Sequence, residues 1–262
     1  NILYNLRNPT KAFQKILVLL ENFFIKYDPK YYEAEQNEIF SKLNLDRPAG
    51  LQKLNKIKGI INFPYREMSS EHEVIFSAIS ERKKINKILE IGTFDGLTST
   101  LLAKLFPDSK IFTIDLEDNN SLFVETYNRS DYEKRNNFIK LRDQRISRYK
   151  NINFLKMNSL GITLNLLDNE NFDLIWIDGA HGYPVVCSDI TNAIKLAHKD
   201  TFIMCDDVWK DLKNSDPIYS SIAAWETLES FRKAGIITSD YFYKRLGKKY
   251  LSSQKFISLA RL

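Results

Sequence analysis

The sequence predicts an α/β fold: a doubly wound, mostly parallel seven-stranded sheet with an antiparallel last strand, behind an N-terminal helical extension. Three observations support this prediction. Short apolar runs alternate with helical patterns from residue 87 onward. These runs are apolar on both faces, as in a parallel sheet covered by helices on both sides. The tail after residue 240 carries two further strand patterns.

Length and composition are consistent with one large domain. A chain of 262 residues with 44% hydrophobic and 27% charged residues can bury a sizeable core. The first 66 residues lack the alternation seen later, so we interpret 1–66 as a helical extension that acts as a lid. Residues 67–262 then form the α/β domain. Apolar residues at helical spacing over 13–27 predict an amphipathic helix within the extension.

The segment 28–66 is interrupted by three prolines and predicts a short helix followed by an extended linker. These prolines are Pro29, Pro48 and Pro64. The next helix is expected to begin near Ser69, where Ser69 or Ser70 caps the first turn.

The elements of the α/β domain follow in order along the chain. Apolar runs predict parallel strands at 87–91, 110–115, 152–157, 172–178 and 201–206. Helical patterns lie near 97–106, 129–149, 184–198 and 219–234. The final segment, 240–262, predicts two strands around a Gly-Lys-Lys turn. In a doubly wound sheet, the five parallel strands take the order 3-2-1-4-5.

A glycine loop follows the first predicted strand. The stretch 88-ILEIGTFDGLTSTLLA-103 predicts a strand, a tight turn and a helix, with Gly92 and Gly96 allowing a close approach between backbone and ligand. The GxGxxG dinucleotide pattern is absent, and Glu90 disfavours a bound pyrophosphate while favouring a cationic ligand. Asp115 ends the second strand, where an acid binds ribose hydroxyls. A turn that only joins strand to helix, or a nicotinamide enzyme, remains the alternative.

The order of Glu90, the two glycines and Asp115 resembles class I S-adenosylmethionine-dependent methyltransferases, which have a Rossmann-like fold. The resemblance covers roughly residues 66–262. It implies that Glu90 lies near the methionine amino group of S-adenosylmethionine and that Asp115 holds the ribose. The expected cofactor-binding residues are Glu90, Gly92, Thr93, Gly96, Asp115, Asn158, Ser159 and Asp178, with Asn158 or Ser159 reaching the adenine edge.

Three acids end the fourth and fifth predicted strands, which are neighbours in the expected order. Asp178 follows 172-FDLIWI-177, and Asp206 with Asp207 follows 201-TFIMC-205. Neighbouring strands lie about 4.8 Å apart, so these carboxylates should meet and repel unless a cation lies between them. Oxygen ligands favour a hard ion such as Mg²⁺, Mn²⁺ or Ca²⁺ over zinc, and Mg²⁺ or Mn²⁺ is the ion expected here. The alternatives are a strand-end hydrogen bond or cofactor contact for Asp178, and helix capping for the other two acids.

This acid set is similar to that of metal-dependent O-methyltransferases, both the catechol type and the type that methylates antibiotic sugars. The phrase 177-IDGAHGY-183 also resembles a bacterial subfamily that usually has a second acid where this chain has Ala180. If relatives use that acid as the base, His181 must replace it here. The resemblance implies that a metal held by Asp178, Asp206 and Asp207 lowers the pKa of the acceptor hydroxyl.

The catalytic residues predicted are His181, as general base, and Asp178. A histidine suits the role because it titrates near neutral pH; orienting a metal ligand or a loop is the alternative. His72 is placed near the cofactor entrance and could line the pocket, and His198 is expected to cap a helix end. The loop after Asp207, including Trp209, should help to close the pocket.

The acceptor is predicted to be a small molecule, most readily a sugar or nucleotide-linked sugar, with a catechol or other small phenol as the runner-up. The eight basic residues of 129–150 form either a solvated helix face or a phosphate grip. The cluster 244-KRLGKK-249 is expected to be a solvated turn.

The net charge of +5 is too mild to predict a nucleic-acid partner, which disfavours an RNA methyltransferase. Two cysteines outside any CxxC motif favour a reducing cytoplasm. No stretch predicts a membrane span or a membrane partner. The apolar helix at 13–27 could pack against a second copy of the chain, so a homo-oligomer is possible.

Overall fold

The computed structural model describes residues 9–60, 70–163, 171–212 and 220–262. Seven strands form one sheet in the order β3-β2-β1-β4-β5-β7-β6. Their bounds are β1 Lys87–Ile91, β2 Lys110–Asp115, β3 Ile152–Lys156, β4 Phe172–Ile177, β5 Ala197–Val208, β6 Thr238–Tyr243 and β7 Phe256–Arg261. Only β7 runs antiparallel to its two neighbours. The predicted fold class and the strand order 3-2-1-4-5 are therefore confirmed.

Nine helices accompany the strands among the described residues. They are α1 Pro9–Phe24, α2 Pro29–Lys42, α3 Arg47–Ile60, α4 His72–Arg82, α5 Leu97–Leu105, α6 Ser121–Glu125, α7 Tyr132–Ile146, α8 Val185–Lys195 and α9 Ala223–Lys233. No described helix is both long and apolar enough to cross a bilayer.

The sheet is buried on both faces because side chains alternate along each strand. Ile88 and Trp176 belong to one core cluster, whereas their chain neighbours Leu89 and Ile175 belong to the other. The register pairs Ile88 with Leu174 and Glu90 with Trp176, so β1 and β4 reach the same edge together. That common edge is where ligands bind in doubly wound sheets.

The extension is more helical than predicted. Where one short helix and an extended linker were expected, two 14-residue helices, α2 and α3, are found. The prolines do not break them because Pro29 and Pro48 occupy the first turn, where a missing N–H costs nothing. Asp28 and Asp46 cap these two helices through their side chains. The third proline and the predicted domain boundary lie outside the described residues.

Helices α2 and α3 pack into the core of the α/β domain. The ring of Phe40 in α2 contacts Phe242 of β6, with centroids 4.9 Å apart. Gln36 exchanges hydrogen bonds with the backbone of Tyr243. Helix α1 forms where the apolar spacing predicts a helix, but those of its large apolar side chains that the structure describes are exposed, from 40% at Leu17 to 80% at Phe24.

Two expected helix termini differ from the structure. Helix α4 begins at His72 with Glu71 at its N-cap position and no side-chain cap; Ser69 lies outside the described residues. The hydroxyl of Ser70 pairs with His72 Nδ1 at 2.8 Å instead. His198 does not cap a helix, because β5 begins at Ala197 and includes it. Its Nε2 lies 3.0 Å from Asp173 Oδ1, at the edge of the sheet opposite the glycine loop.

The tail forms β6 and β7, but no tight turn joins them. The connection 244–255 contains the 3₁₀ helix Lys248–Ser253. Its first residue, Lys244, is only 7% exposed. The prediction that 244-KRLGKK-249 is a solvated turn is therefore wrong for Lys244, because this ammonium forms ion pairs at the carboxyl edge of the sheet.

Candidate active site

The loop between β1 and α5 crosses directly over the end of β4. Gly92 has a φ of 104°, and a Cβ there would lie 2.3 Å from the carbonyl oxygen of Asp178. Gly96 has a φ of 76° and begins α5. Both positions therefore require glycine. At position 92 the close contact is with the protein backbone, which places Asp178 beside the glycine loop.

Glu90 lies beneath this loop and is completely buried. Its Oε2 accepts hydrogen bonds from the hydroxyls of Ser99 and Thr113, the second at 2.6 Å. Its Oε1 is buried with no hydrogen-bond partner among the described residues. Burial raises the pKa of Glu90 to about 7. Thr93 shares a 2.6 Å hydroxyl contact with Thr113, so its side chain points into the core rather than towards a ligand.

Asp115 connects the two loops at the ends of β1 and β2. Its Oδ2 accepts from the Phe94 N–H at 2.8 Å, and its Oδ1 accepts from the Leu116 N–H at the same distance. Burial raises the pKa of Asp115 above its ordinary value. A carboxylate oxygen has more than one lone pair, so each retains capacity for a ribose hydroxyl.

Asn158 and Ser159 follow β3 beside Asp115, whose carbonyl accepts from the Met157 N–H at 2.8 Å. The Asn158 side chain accepts from the Leu160 N–H at 3.0 Å, so it caps a 3₁₀ turn that Ser159 begins. The structure thus brings both residues to the expected edge. The side-chain oxygen of Asn158 already accepts one hydrogen bond from this cap.

The segment 117–150 lies against the glycine loop, and most of its basic side chains that were candidates for a phosphate grip have partners. Arg142 is fully buried and forms ion pairs with Asp118 and Asp143. Arg145 pairs with Asp95 at 3.1 Å. Arg142 and Arg145 thus hold the segment to the domain. Four other basic side chains are exposed, as a solvated helix face predicts: Lys134, Lys140, Arg148 and Lys150.

The three predicted acids meet where β4 and β5 end. The register pairs Ile177 of β4 with Cys205 of β5. The next residue along each strand is an aspartate, so Asp178 and Asp206 are neighbours across the two strands. The pairing of β5 with β7 is irregular between Cys205 and Val208, and Asp207 has a φ of 50°. Such irregularities re-aim side chains at functional edges. The predicted carboxylate cluster is therefore present.

Two lysines that sequence reasoning missed provide its counter-charges. Lys244 Nζ donates to Asp206 Oδ2 and, at 2.5 Å, to Asp207 Oδ1. Lys255 Nζ donates to Asp207 Oδ2 at 2.5 Å. The signal was present in the sequence, because one lysine directly follows β6 and the other directly precedes β7. Both strand ends lie at the carboxyl edge.

These contacts change the electrostatics on which the metal prediction depended. Burial would raise the pKa of Asp206, but Lys244 and the nearby histidines outweigh it and lower that pKa. The pKa of Asp178 is raised, by burial first and then by the facing Asp206. The protonation of these acids therefore depends on the neighbouring lysine as well as on the repulsion between carboxylates.

The residues present do not fit a divalent ion held by the three acids. Three of the four oxygens of Asp206 and Asp207 already accept from ammonium groups. Among the described residues, no three histidine, cysteine or acidic side chains are arranged to hold a metal. The premise that these carboxylates lack a positive partner was wrong, because the lysines come from a distant part of the chain.

His181 lies beside this cluster, with Nε2 3.6 Å from Asp178 Oδ1. Burial lowers the pKa of His181 below 6.5. The ring of His72 lies against that of Trp176, with centroids 5.0 Å apart and a tilt of 33°, and His72 helps to lower the pKa of Asp206. Trp209 is only 4% exposed, so its side chain is packed into the domain, whereas residues 210–212 are exposed.

A doubly wound sheet of this order, with a glycine loop after β1 and an acid ending β2, defines the class I methyltransferase fold. A family model described as a methyltransferase domain matches residues 89–208, which contain the glycine loop and all three clustered acids. Residues 89–208 are therefore similar to a methyltransferase domain, which supports the predicted resemblance to class I S-adenosylmethionine-dependent methyltransferases.

Solved structures show the same fold. The O-methyltransferase from Bacillus cereus, in complex with SAH, is 16% identical with a TM-score of 0.54, and the match covers 90% of this chain and all of that one. TomG from Streptomyces achromogenes, an O-methyltransferase of tomaymycin synthesis in complex with SAM, is 20% identical with a TM-score of 0.50. That match covers 86% of this chain and 95% of TomG. No curated protein matches this sequence.

Proposed function

We propose that the chain moves the methyl group of S-adenosylmethionine to a hydroxyl of a small molecule. One observation carries this proposal: the glycine loop rests directly on Asp178, so the cofactor loop and the side chains that could act on an acceptor share one edge. When bound, S-adenosylmethionine supplies a methyl group activated by a positively charged sulfur.

The residues at the loop fit this cofactor. Glu90 offers a buried carboxylate oxygen without a partner, which suits an ammonium group approaching the loop. Asp115 is held rigid by two backbone amides and would take the ribose hydroxyls. The amides at the start of α5 point towards the same loop. Asn158 and Ser159 would border the adenine.

The acceptor hydroxyl must lose its proton during transfer, and His181 would take it. An imidazole with a lowered pKa is neutral at pH 7 and therefore able to accept a proton. Asp178, 3.6 Å from its Nε2, would stabilise the imidazolium that forms. In-line placement of acceptor oxygen, methyl carbon and sulfur provides the remaining acceleration.

The structure shifts support from a nucleotide-linked sugar towards a small phenol. The sugar prediction depended on a metal that grips two oxygens and on free basic groups for a phosphate. Lys244 is engaged with the acids, and Arg142 and Arg145 are engaged with carboxylates. A phenol ionises with a pKa of about 10, so an imidazole can deprotonate it without a metal. A sugar hydroxyl is the second candidate.

Two measurements test the proposal. Calorimetry should show S-adenosylmethionine binding to the purified chain, and mass spectrometry should show one added methyl group on a hydroxyl from a panel of phenols and sugars. An O-methyl product from a phenol supports the favoured class, and one from a sugar supports the second. Binding without transfer to any hydroxyl, together with methylation of an amine, would refute O-methylation.

A further inference from the structure

Lys244 and Lys255 are the first and last residues of the β6–β7 connection, and backbone hydrogen bonds hold Lys244 in place. The Lys244 N–H donates to the Lys255 carbonyl at 2.9 Å, and the Lys244 carbonyl accepts from the Glu71 N–H at 3.0 Å. The backbone of Lys244 is therefore held from two sides. Its side chain is 8% exposed, so the ammonium does not move freely in solvent.

This ammonium bridges two carboxylates that are consecutive in the chain. It donates to Asp206 Oδ2 and to Asp207 Oδ1, while Lys255 takes Asp207 Oδ2. Asp207 makes these contacts with a left-handed φ of 50°, a costly conformation for a residue other than glycine. The surrounding contacts must offset that cost.

An ammonium is a compact charge with three donors. Two donors of Lys244 go to Asp206 and Asp207, within the part of the chain that the structure describes, and one remains for a further oxygen. The cluster also borders Asp178 and His181. One positive charge thus lies at the place where the sequence predicted a doubly positive ion.

We propose that Lys244 is the resident cation of this active site, and that methyl transfer proceeds without a divalent metal. The inference rests on the proposed function for its catalytic consequence, but its structural half stands independently. The Lys244 ammonium keeps Asp206 and Asp207 ionised and in place, and its remaining N–H orients the acceptor oxygen towards the methyl group. The acceptor proton leaves to His181, and the oxygen forms the new bond to carbon as the carbon–sulfur bond breaks.

The structural half is tested with Mn²⁺ alone, without any acceptor. Chelator-treated protein, with and without S-adenosylmethionine, is titrated with Mn²⁺, and free ion is followed by electron paramagnetic resonance. We expect binding weaker than about 1 mM, the weak limit for carboxylate sites that hold divalent cations. Stoichiometric binding at micromolar concentrations would overturn the proposal, whatever the outcome of the acceptor screen.

The catalytic half is tested by substitution. Lys244→Met should lower turnover by about 100-fold, the usual effect of removing one preorganised charge, with S-adenosylmethionine affinity unchanged. Lys244→Arg should restore part of the loss because the charge is retained. The matched control is Lys248→Met, an exposed lysine of the same connection, which should leave turnover unchanged.

Wild-type turnover should also be the same in excess EDTA as in added Mg²⁺. Full activity in Lys244→Met, or loss of activity in EDTA, would contradict the role of this lysine. If Lys244→Met does not fold, as judged by circular dichroism, the Mn²⁺ titration and the EDTA assay of the wild type decide the matter. Absence of transfer by the wild type to every hydroxyl would refute the proposed function and leave the Mn²⁺ result standing.

Discussion

Gly92 and Asp178 are in contact through their backbones: a Cβ at Gly92 would lie 2.3 Å from the Asp178 carbonyl oxygen. The Asp178 N–H also donates to the Ile91 carbonyl at 2.8 Å. Parallel strands β1 and β4 therefore continue their association past their ends. This contact sets the distance between the glycine loop and the carboxylate cluster.

Gly92→Ala should destabilise the protein by about 3 kcal/mol, combining overpacking with a left-handed backbone. Urea unfolding monitored by tryptophan fluorescence measures this loss. Gly235→Ala is the matched control, since Gly235 has a φ of 72° with open space around it. It should cost about 1 kcal/mol, for the backbone conformation alone. Equal costs would show that the Asp178 contact is not tight.

Asp115→Asn should weaken S-adenosylmethionine binding by about 10-fold or more, because a bidentate, charge-assisted acceptor of hydroxyl donors is lost. The amide is similar in shape and retains one acceptor oxygen, so the fold should persist. Calorimetry gives the affinity. Asp108→Asn, an exposed acid beyond α5, serves as the control and should bind normally. Unchanged affinity in Asp115→Asn would exclude the ribose assignment.

As the pH is lowered, turnover should begin to fall at a lower pH than it would if the base were an imidazole with the ordinary pKa of 6.5. The pKa of His181 lies below 6.5 because burial disfavours the imidazolium, with Asp206 and Asp207 opposing this and Lys244 and Lys255 reinforcing it. The base is active when neutral, so the rate should fall only on the acid side of 6.5. A kcat profile from pH 5 to 9 measures this.

His181→Gln should remove that acid limb and lower kcat by about 100-fold. Binding of S-adenosylmethionine should stay within about two-fold of wild type, since His181 is placed at the acceptor side and not at the glycine loop. An unchanged pH profile in this variant would assign the limb to another group and remove His181 as the base.

Glu90→Gln should stabilise the protein above pH 7. The pKa of Glu90 is about 7 when folded and 4.5 in the reference state, so the folded protein binds the extra proton between these values. Protonated Glu90 therefore contributes to the free energy of unfolding in full below pH 4.5, and this contribution is lost as the pH rises through 7. The free energy of unfolding of Glu90→Gln should exceed that of the wild type by about 3 kcal/mol at pH 8, and the two should be equal near pH 4.

Urea unfolding of the ligand-free protein from pH 4 to 8 checks this dependence. The same variant should bind S-adenosylmethionine more weakly if Glu90 accepts the methionine ammonium, so stability and affinity should change in opposite directions. A stability difference that does not vary with pH would contradict the raised pKa.

Much of the sheet could be predicted because its signals are local. Apolar runs such as 172-FDLIWI-177 and the glycine loop at Gly92 depend on residues close in the chain. The extension could not be predicted as well, since Pro29 and Pro48 break a helix in its interior but begin one in its first turn. Only the position of each capping aspartate distinguishes the two cases.

The acids of the candidate active site are evident in the sequence, and their partners are not. Strand ends place Asp178 and Asp206 at one edge because a parallel sheet aligns its carboxyl ends. Lys244 lies 38 residues from Asp206 in the chain and reaches it only because β7 returns antiparallel beside β5. Periodicity reports which face each residue takes, whereas the neutralisation of a buried charge depends on which distant side chain the tertiary fold brings within hydrogen-bonding distance.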